Sequence, residues 1–370
     1  MQSPIGFTRS VDSRPSPPSV RRKRSGRSLG LLALLAAFTT PVFALKYAAT
    51  EHHLKADASI PVWTPGPVPS VPEEELNLVG ADIMDEITLG WEKIFRQAYP
   101  RLSVTMEARA SGSGVPALTA GIAHLAPVGR EALPKEHDDF VKKFGYEPFA
   151  VRVATGSLGS LGKTATSIML VAKDNPIKGL TFAEIDAIYS TTRKRGHADI
   201  KTWGDLGLTG EWADRPIHTY GLKPPNGIEQ FVKMIVLQGG DWKDGIQNVK
   251  GQGFTHAFTV ASNDMHTQIG GLTYALLANV TPDVRVVPLA EKEGDPFVAP
   301  TIETVYNHTY PLSRYVYIYV NRPPGKPLEP KIREFLRAVL SKQGQDVVAA
   351  EGVFMPLLPE VVREELAKLQ

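Results

Sequence analysis

The chain has 370 residues, of which 42% are hydrophobic and 22% charged, and a formal net charge of +2. Two α/β-sized domains fit that length, and the absence of cysteine excludes disulfides, thiolate zinc sites, cysteine nucleophiles and a lipid carried on cysteine. Seven of the 41 Lys and Arg and one of the 39 Asp and Glu fall in the first 44 residues, leaving 34 basic against 38 acidic side chains. A mildly acidic body does not neutralise phosphate backbones, so nucleic-acid binding is excluded as a main function.

In chain order, the basic cluster at 21–27 is followed by the apolar run LGLLALLAAF at 29–38 and by TTPVFA at 39–44. With Val42 and Ala44 at the −3 and −1 positions of a cut before Leu45, this is the pattern of a cleavable signal peptide over 1–44. About ten apolar residues broken by Pro41 are too few to span a bilayer, which needs about twenty. The expectation is an exported, soluble protein that is not a lipoprotein. Residues 45–75 contain PVWTPGPVPSVP and read as an extended tether or strap outside the core, with order beginning at Leu76.

Residues 76–79 (LNLV) form a short apolar strand, and Met84, Ile87, Trp91, Ile94, Phe95 and Ala98 then mark one face of a helix ending near Tyr99-Pro100. Leu102, Val104 and Met106 alternate as a second strand running into Ser111-Gly112-Ser113-Gly114, with Pro116 suited to the first turn of the next helix. A third strand at 124–128 ends at Gly129-Arg130. Further on, strands are expected at 166–171, 217–220, 284–289 and 315–320. Thr181 and Glu184 form a capping box ahead of a helix with Ile185 and Ile188. A helix with Ile228, Phe231, Val232 and Ile235 follows the 221–227 loop, and amphipathic helices close the chain at 331–340 and 359–369. Strands alternating with helices imply α/β domains with largely parallel sheets.

Three units share one plan: a strand, a glycine-containing loop and a helix. The loops are 80–82, 111–114 and 221–227. Unpaired N–H groups at a helix start suit an anion, and ligands of open α/β sheets bind at such strand ends; each loop capping only its own helix is the competing reading. Other chemistry does not assemble. GSLGSLGKT at 156–164 imitates a nucleotide loop, but its first glycine stands one place too early and a strand follows, so it reads as a connector. Ser111 and Ser113 lack the G-x-S-x-G context of a nucleophile. None of the nine histidines has an i, i+4 metal partner, and Asp138-Asp139 lies in a charged, solvated stretch. Neither an enzyme nor a cofactor is implied.

The motifs GADIM (80–84), SGSG (111–114), APVGR (126–130), DNPIKGLTFAEIDAIYS (174–190), TWGDLGLTGEW (202–212), GGDW (239–242) and YPLSRYVYIYVNRPPG (310–325) resemble type II periplasmic binding proteins, specifically the phosphate-binding component of phosphate ABC importers. The resemblance covers about 76–358. It implies two α/β lobes, 76–169 with 316–370 and 170–315, joined by two crossings around a ligand cleft. It also implies a small anion such as phosphate as ligand, a membrane permease as partner and a monomeric state. Carried over position by position, the ligand set is Asp82, Ser111, Gly112, Ser113, Gly114, Arg130, Lys223, Asn226 and Gly227. The chain departs from the family at several of these places. Gly-Ser-Asp-Thr becomes Gly80-Ala81-Asp82-Ile83, and Ser-Arg becomes Gly129-Arg130. The second-lobe Arg, Ser and Thr become Leu222, Asn226 and Ile228, with Lys223 as a substitute charge. Those losses imply weakened phosphate binding: Leu222 gives neither charge nor donor, and Ile83 and Ile228 add apolar surface where hydroxyls are usual. They also suggest an alternative role as a degenerate sensor or interaction component of the envelope.

Overall fold

A computed structural model describes residues 54–68, 75–160, 163–222, 227–248 and 269–370. The signal-peptide reading, Lys223 and Asn226 lie outside these residues.

The first sheet starts with β1 (Glu75–Ala81). A 3-10 turn, Asp82–Met84, leads into α1 (Asp85–Ala98), then β2 (Ser103–Arg109), α2 (Gly114–Ala120), β3 (Leu125–Val128), α3 (Pro134–Phe144) and β4 (Phe149–Thr155). The chain then enters the second sheet through β5 (Ser167–Ala172), β6 (Leu180–Thr181), α4 (Phe182–Tyr189), β7 (His218–Gly221), α5 (Gly227–Ile235), β8 (Gln247–Asn248), β9 (Gly271–Leu276), β10 (Val284–Val287), β11 (Leu289–Ala290) and α6 (Ile302–Tyr306). It returns to the first sheet as β12 (Tyr315–Val320) and ends with α7 (Pro330–Val339), α8 (Lys342–Glu351) and α9 (Pro359–Lys368).

The two five-stranded sheets have the orders β2-β1-β3-β12-β4 and β10-β5-β9-β7-β8, and β11-β6 form a small ribbon. The sheets are mixed, which corrects the expectation of largely parallel ones. β1 runs parallel to β2 and β3, but β12 is antiparallel to β3 and β4. In the second sheet β7 is parallel to β8 and β9, while β5 is antiparallel to β9 and β10. The returning strand β12 enters between β3 and β4 against their direction, which the alternation of elements does not encode.

α1 buries Ile87, Trp91 and Phe95, as its spacing requires, and the Trp91 indole donates to Gly344 O at 2.9 Å on α8. The capping box at Thr181 is formed: its N–H donates to Glu184 Oε2 at 2.7 Å, and Glu184 N–H donates back to Thr181 Oγ1 at 3.2 Å. The strand expected over 284–289 is split into β10 and β11 by Pro288, which has no N–H to donate. α3, β4, β9 and α8 were not foreseen. α3 (PKEHDDFVKKF) fully buries only Phe140, so its charge hides its period.

The largest departure from expectation is the proline-rich segment. Order begins before Leu76, and residues 54–68 lie over the first sheet's helices with Ala56, Ile60 and Trp63 inside the apolar core. The Trp63 ring stacks on Phe95 with centroids 6.1 Å apart, and its backbone N–H donates to Gln343 Oε1 at 2.9 Å. The buried Glu334 carboxylate accepts from the Trp63 indole at 3.3 Å, from Gly66 N–H at 2.9 Å and from Arg337 at 2.6 Å. Desolvation pushes the Glu334 carboxyl up, but these bonds outweigh it and hold the carboxyl below the usual carboxylate range. Without a hydrogen-bonded partner set, a charge at that depth would be costly. Proline pre-sets the extended path, and one aromatic ring anchors it.

Candidate functional site

Parallel pairing puts the ends of β1, β2 and β3 at one edge of the first sheet, with Ala81 opposite Arg109 and Gly80 opposite Ala108. Gly80 is needed there: a Cβ would come 2.0 Å from Pro127 O on β3. The loops that follow carry Asp82, the 111–114 turn and Arg130, and they set the turn against the Arg130 side chain. Asp82 is exposed, and its Oδ1 accepts the Ile83 N–H at 2.9 Å. In the 111–114 turn Ser111 and Ser113 are half-buried, Gly112 is exposed and Gly114 is buried. Ser113 Oγ donates to Ala110 O at 2.8 Å, leaving its lone pairs rather than its proton for other partners. Gly112 sits against the Arg130 head: a Cβ there would lie 3.7 Å from Nη2.

Arg130 is held by its own lobe. Nη1 donates to Glu136 Oε2 at 2.8 Å and to Glu131 O at 2.9 Å, and Nη2 donates to Glu136 Oε1 at 2.7 Å. Glu136 Oε2 also accepts the Leu133 N–H at 2.9 Å, so one carboxylate caps α3 and fixes the guanidinium. The 130–134 loop is pinned from behind by the Tyr319 hydroxyl, which accepts the Ala132 N–H at 2.8 Å. Burial raises the Tyr319 phenol above its ordinary acidity range, so it stays protonated.

Two departures from the resembled pattern are one paired change in space. A Cβ on Gly129 would lie 2.3 Å from Ile83 Cδ1 and 3.0 Å from Thr164 Oγ1. Ile83 thus occupies the room that a serine at 129 would need, and the Thr164 hydroxyl donates to Gly129 O at 2.6 Å. Two hydroxyls are replaced by one aliphatic contact.

In the second sheet's lobe the expectation for Leu222 and Ile228 is corrected. Both side chains belong to that lobe's apolar core, 7% and 9% exposed. The Leu222 N–H donates to the Tyr274 hydroxyl at 2.9 Å, so neither residue puts apolar surface into the cleft. Gly227, the first residue of α5, does face it. A cavity of about 230 Å³ is lined by Arg130 and Leu133 from one side, by Gly227, Phe231 and Met234 of α5 from the other, and by Arg314.

Arg314, Glu131 and Glu136 were not anticipated as site residues. The Arg314 guanidinium lies over the Phe231 ring, 4.2 Å from its centroid, and Nη2 donates to Glu131 Oε2 at 3.0 Å. The partners are 183 residues apart, so no local pattern announces them. Arg314 also marks the chain's return to the first sheet: its carbonyl accepts the Gly156 N–H at 2.8 Å, joining the two crossing segments. Beside them His308 stacks on Tyr315 at 3.7 Å between centroids, with Nε2 3.0 Å from Thr155 Oγ1. Burial first, and the nearby Arg152 charge second, push the His308 imidazole down to about 4.

Two mixed α/β sheets, joined by two crossings and bordering one cavity, define a type II periplasmic binding protein. The PBP superfamily domain matches residues 67–343, and the chain belongs to that superfamily as a relative of the PstS proteins. It is 38% identical over 295 residues to the phosphate-binding protein PstS of Pseudomonas aeruginosa PAO1, covering 80% of this chain and 86% of that one. The PstS of Staphylococcus aureus MRSA252 is 25% identical over 201 residues, covering 54% and 56% of the two chains. Among solved structures, PstS from Borrelia burgdorferi superposes with a TM-score of 0.51 at 15% identity, over 77% of this chain and all of that one, a likeness of fold.

Proposed function

We propose that this chain is an exported solute-binding protein that takes phosphate or a related small anion in its cleft and delivers it to an ABC permease. The observation that carries this reading is the junction of the 111–114 turn with Arg130 at the edge where β1, β2 and β3 end. An arginine preset by a carboxylate keeps its fork oriented, so little side-chain freedom is lost when an anion docks. The lobes, 76–169 with 316–370 and 170–315, close over the ligand about the two crossings. Lys223, Asn226 and Gly227 complete the anion's surroundings from the second lobe. The chain acts as a monomer with no cofactor, and the leader at 1–44 directs it to the periplasm. No helix among the described residues is long and apolar enough to cross a membrane.

Calorimetric titration of the chain from Leu45 onward with inorganic phosphate tests this. Saturable binding of one equivalent, lost in Arg130→Gln, is expected, with a dissociation constant in the millimolar range because hydroxyl donors are missing. An absence of binding up to tens of millimolar phosphate, or binding indifferent to Arg130, would overturn it.

A further inference from the structure

The cavity beside Arg130 has more than a bare phosphate needs. At about 230 Å³ it has room for several waters, each taking about 30 Å³ of liquid. Its far wall is apolar: Phe231 backs it, and Met234 and Ile235 of α5 remain 44% and 37% exposed beside it. A carbon surface of that kind offers nothing to a tetrahedral oxyanion but suits a short aliphatic group. Its polar end carries a second arginine. Arg314 is only 7% exposed, yet among the described residues its Nε is buried without a hydrogen-bond partner, and the hydrogen bond described for its guanidinium goes to Glu131. A buried donor left unpaired is uncommon in a settled site and marks a group that a ligand or a small rearrangement would satisfy. The formal charges of Arg130, Arg314, Glu131 and Glu136 cancel, so these four groups select by directed donors, shape and apolar contact more than by net charge.

We propose that the cleft takes an alkyl phosphate or alkylphosphonate, the anionic head between Arg130 and Arg314 and a short aliphatic group against Phe231, Met234 and Ile235. This rests on the anion-binding reading above and names its ligand class. Each methylene fully removed from water is worth about fourfold in affinity. For a three-carbon group on a half-open wall, about tenfold over inorganic phosphate is expected. Propylphosphonate and inorganic phosphate would be titrated in parallel against the chain from Leu45 onward, Met234→Ser and Arg314→Gln, with thermal unfolding of each variant as a check on folding. The proposal predicts propylphosphonate at least threefold tighter than phosphate, that ratio shrinking in Met234→Ser, and weaker binding of both ligands in Arg314→Gln. Phosphate binding as tightly as propylphosphonate, or a ratio untouched by Met234→Ser, would overturn it while leaving the anion-binding reading intact. Failure of both ligands to bind would sink both. Should Arg314→Gln not fold, the Met234→Ser ratio still decides.

Discussion

The contact between Ile83 and Gly129 predicts that two hydroxyls can be restored only together. In Gly129→Ser the new Cβ would stand 2.3 Å from Ile83 Cδ1, an overlap costing about 1–3 kcal/mol in packed surroundings. Ile83→Thr removes that terminal carbon from a half-buried side chain and should cost about 1 kcal/mol. In the double variant the closest clash is gone. The remaining contacts, 3.0 Å to Thr164 Oγ1 and 3.2 Å at the γ position of residue 83, are relieved by shifts of a few tenths of an ångström. The two changes should therefore couple favourably by about 1–2 kcal/mol, well outside the few tenths seen for independent sites. Function should move with stability. A hydrogen bond to a charged acceptor is worth about 1.5–3 kcal/mol, so one productive hydroxyl tightens phosphate about tenfold and two about a hundredfold. Calorimetry of phosphate binding and chemical denaturation of all four proteins close the cycle. Additive stability effects with unchanged phosphate affinity in the double variant would refute the reasoning, because the hydroxyls would then be missing for some reason other than Ile83.

Trp63→Ala should lower stability by about 3–5 kcal/mol, since it empties a buried aromatic site and takes a donor from the buried Glu334; a calorimetric scan showing a loss under about 1 kcal/mol would reduce the strap to decoration. Because the folded His308 titrates near 4 rather than near 6.5, the unfolded chain binds the proton more readily between those values. The resulting stability is full above about pH 6.5 and is lost as pH falls to about 4, by about 3 kcal/mol in all. His308→Asn, which tolerates the positive φ of 57° there, should flatten that part of the pH–stability curve, and an unchanged slope would assign it elsewhere. Leu222→Arg, the substitution that the family pattern suggests for restoring charge, should instead destabilise the second lobe by about 3 kcal/mol or more, measurable as a lower denaturation midpoint. Tighter phosphate binding without loss of stability would show that this position can turn to the cleft.

How far the sequence disclosed all this depended on distance along the chain. α1 was legible because its apolar residues recur at the helical period and bury as that period demands. The Thr181 capping box was legible because both of its partners lie within four residues. Two loops of the first sheet, 80–82 and 111–114, were legible because strand, glycine turn and helix start are consecutive, and parallel pairing of β1 with β2 then brings those two turns to one edge. Trp63 was not legible, because proline spacing reports an extended backbone and says nothing about which rings, at Phe95 and Tyr99, will receive an indole. The partnership of Arg314 with Glu131 was hidden for the same reason. Leu222 shows a third kind of failure: alignment with a motif set it at the place of a ligand-binding arginine, whereas burial assigned its side chain to the core.

The carboxylates of the cleft are the feature hardest to reconcile with tight binding of a doubly charged anion. Arg130 and Arg314 each have a glutamate partner, at 2.7 and 3.0 Å, so an incoming dianion meets no net positive charge from these four groups and must be held by directed donors. Arginine is suited to that, because five N–H groups in a rigid fork serve a carboxylate on one edge while leaving other directions for a ligand. A site built this way gains orientation at the expense of long-range attraction. It discriminates by fit: an anion whose remaining surface matches the apolar face of α5 gains affinity there that a bare oxyanion cannot. The loss of the hydroxyl pair at 83 and 129 points the same way, since Ile83 fills with carbon the space where a phosphate-specific site would place donors. If the proposed ligand class is right, weak affinity for inorganic phosphate and preference for a carbon-bearing phosphorus acid would be two consequences of one arrangement. Placing a carboxamide at Glu136, which keeps the α3 cap but removes one negative charge, should raise phosphate affinity more than propylphosphonate affinity.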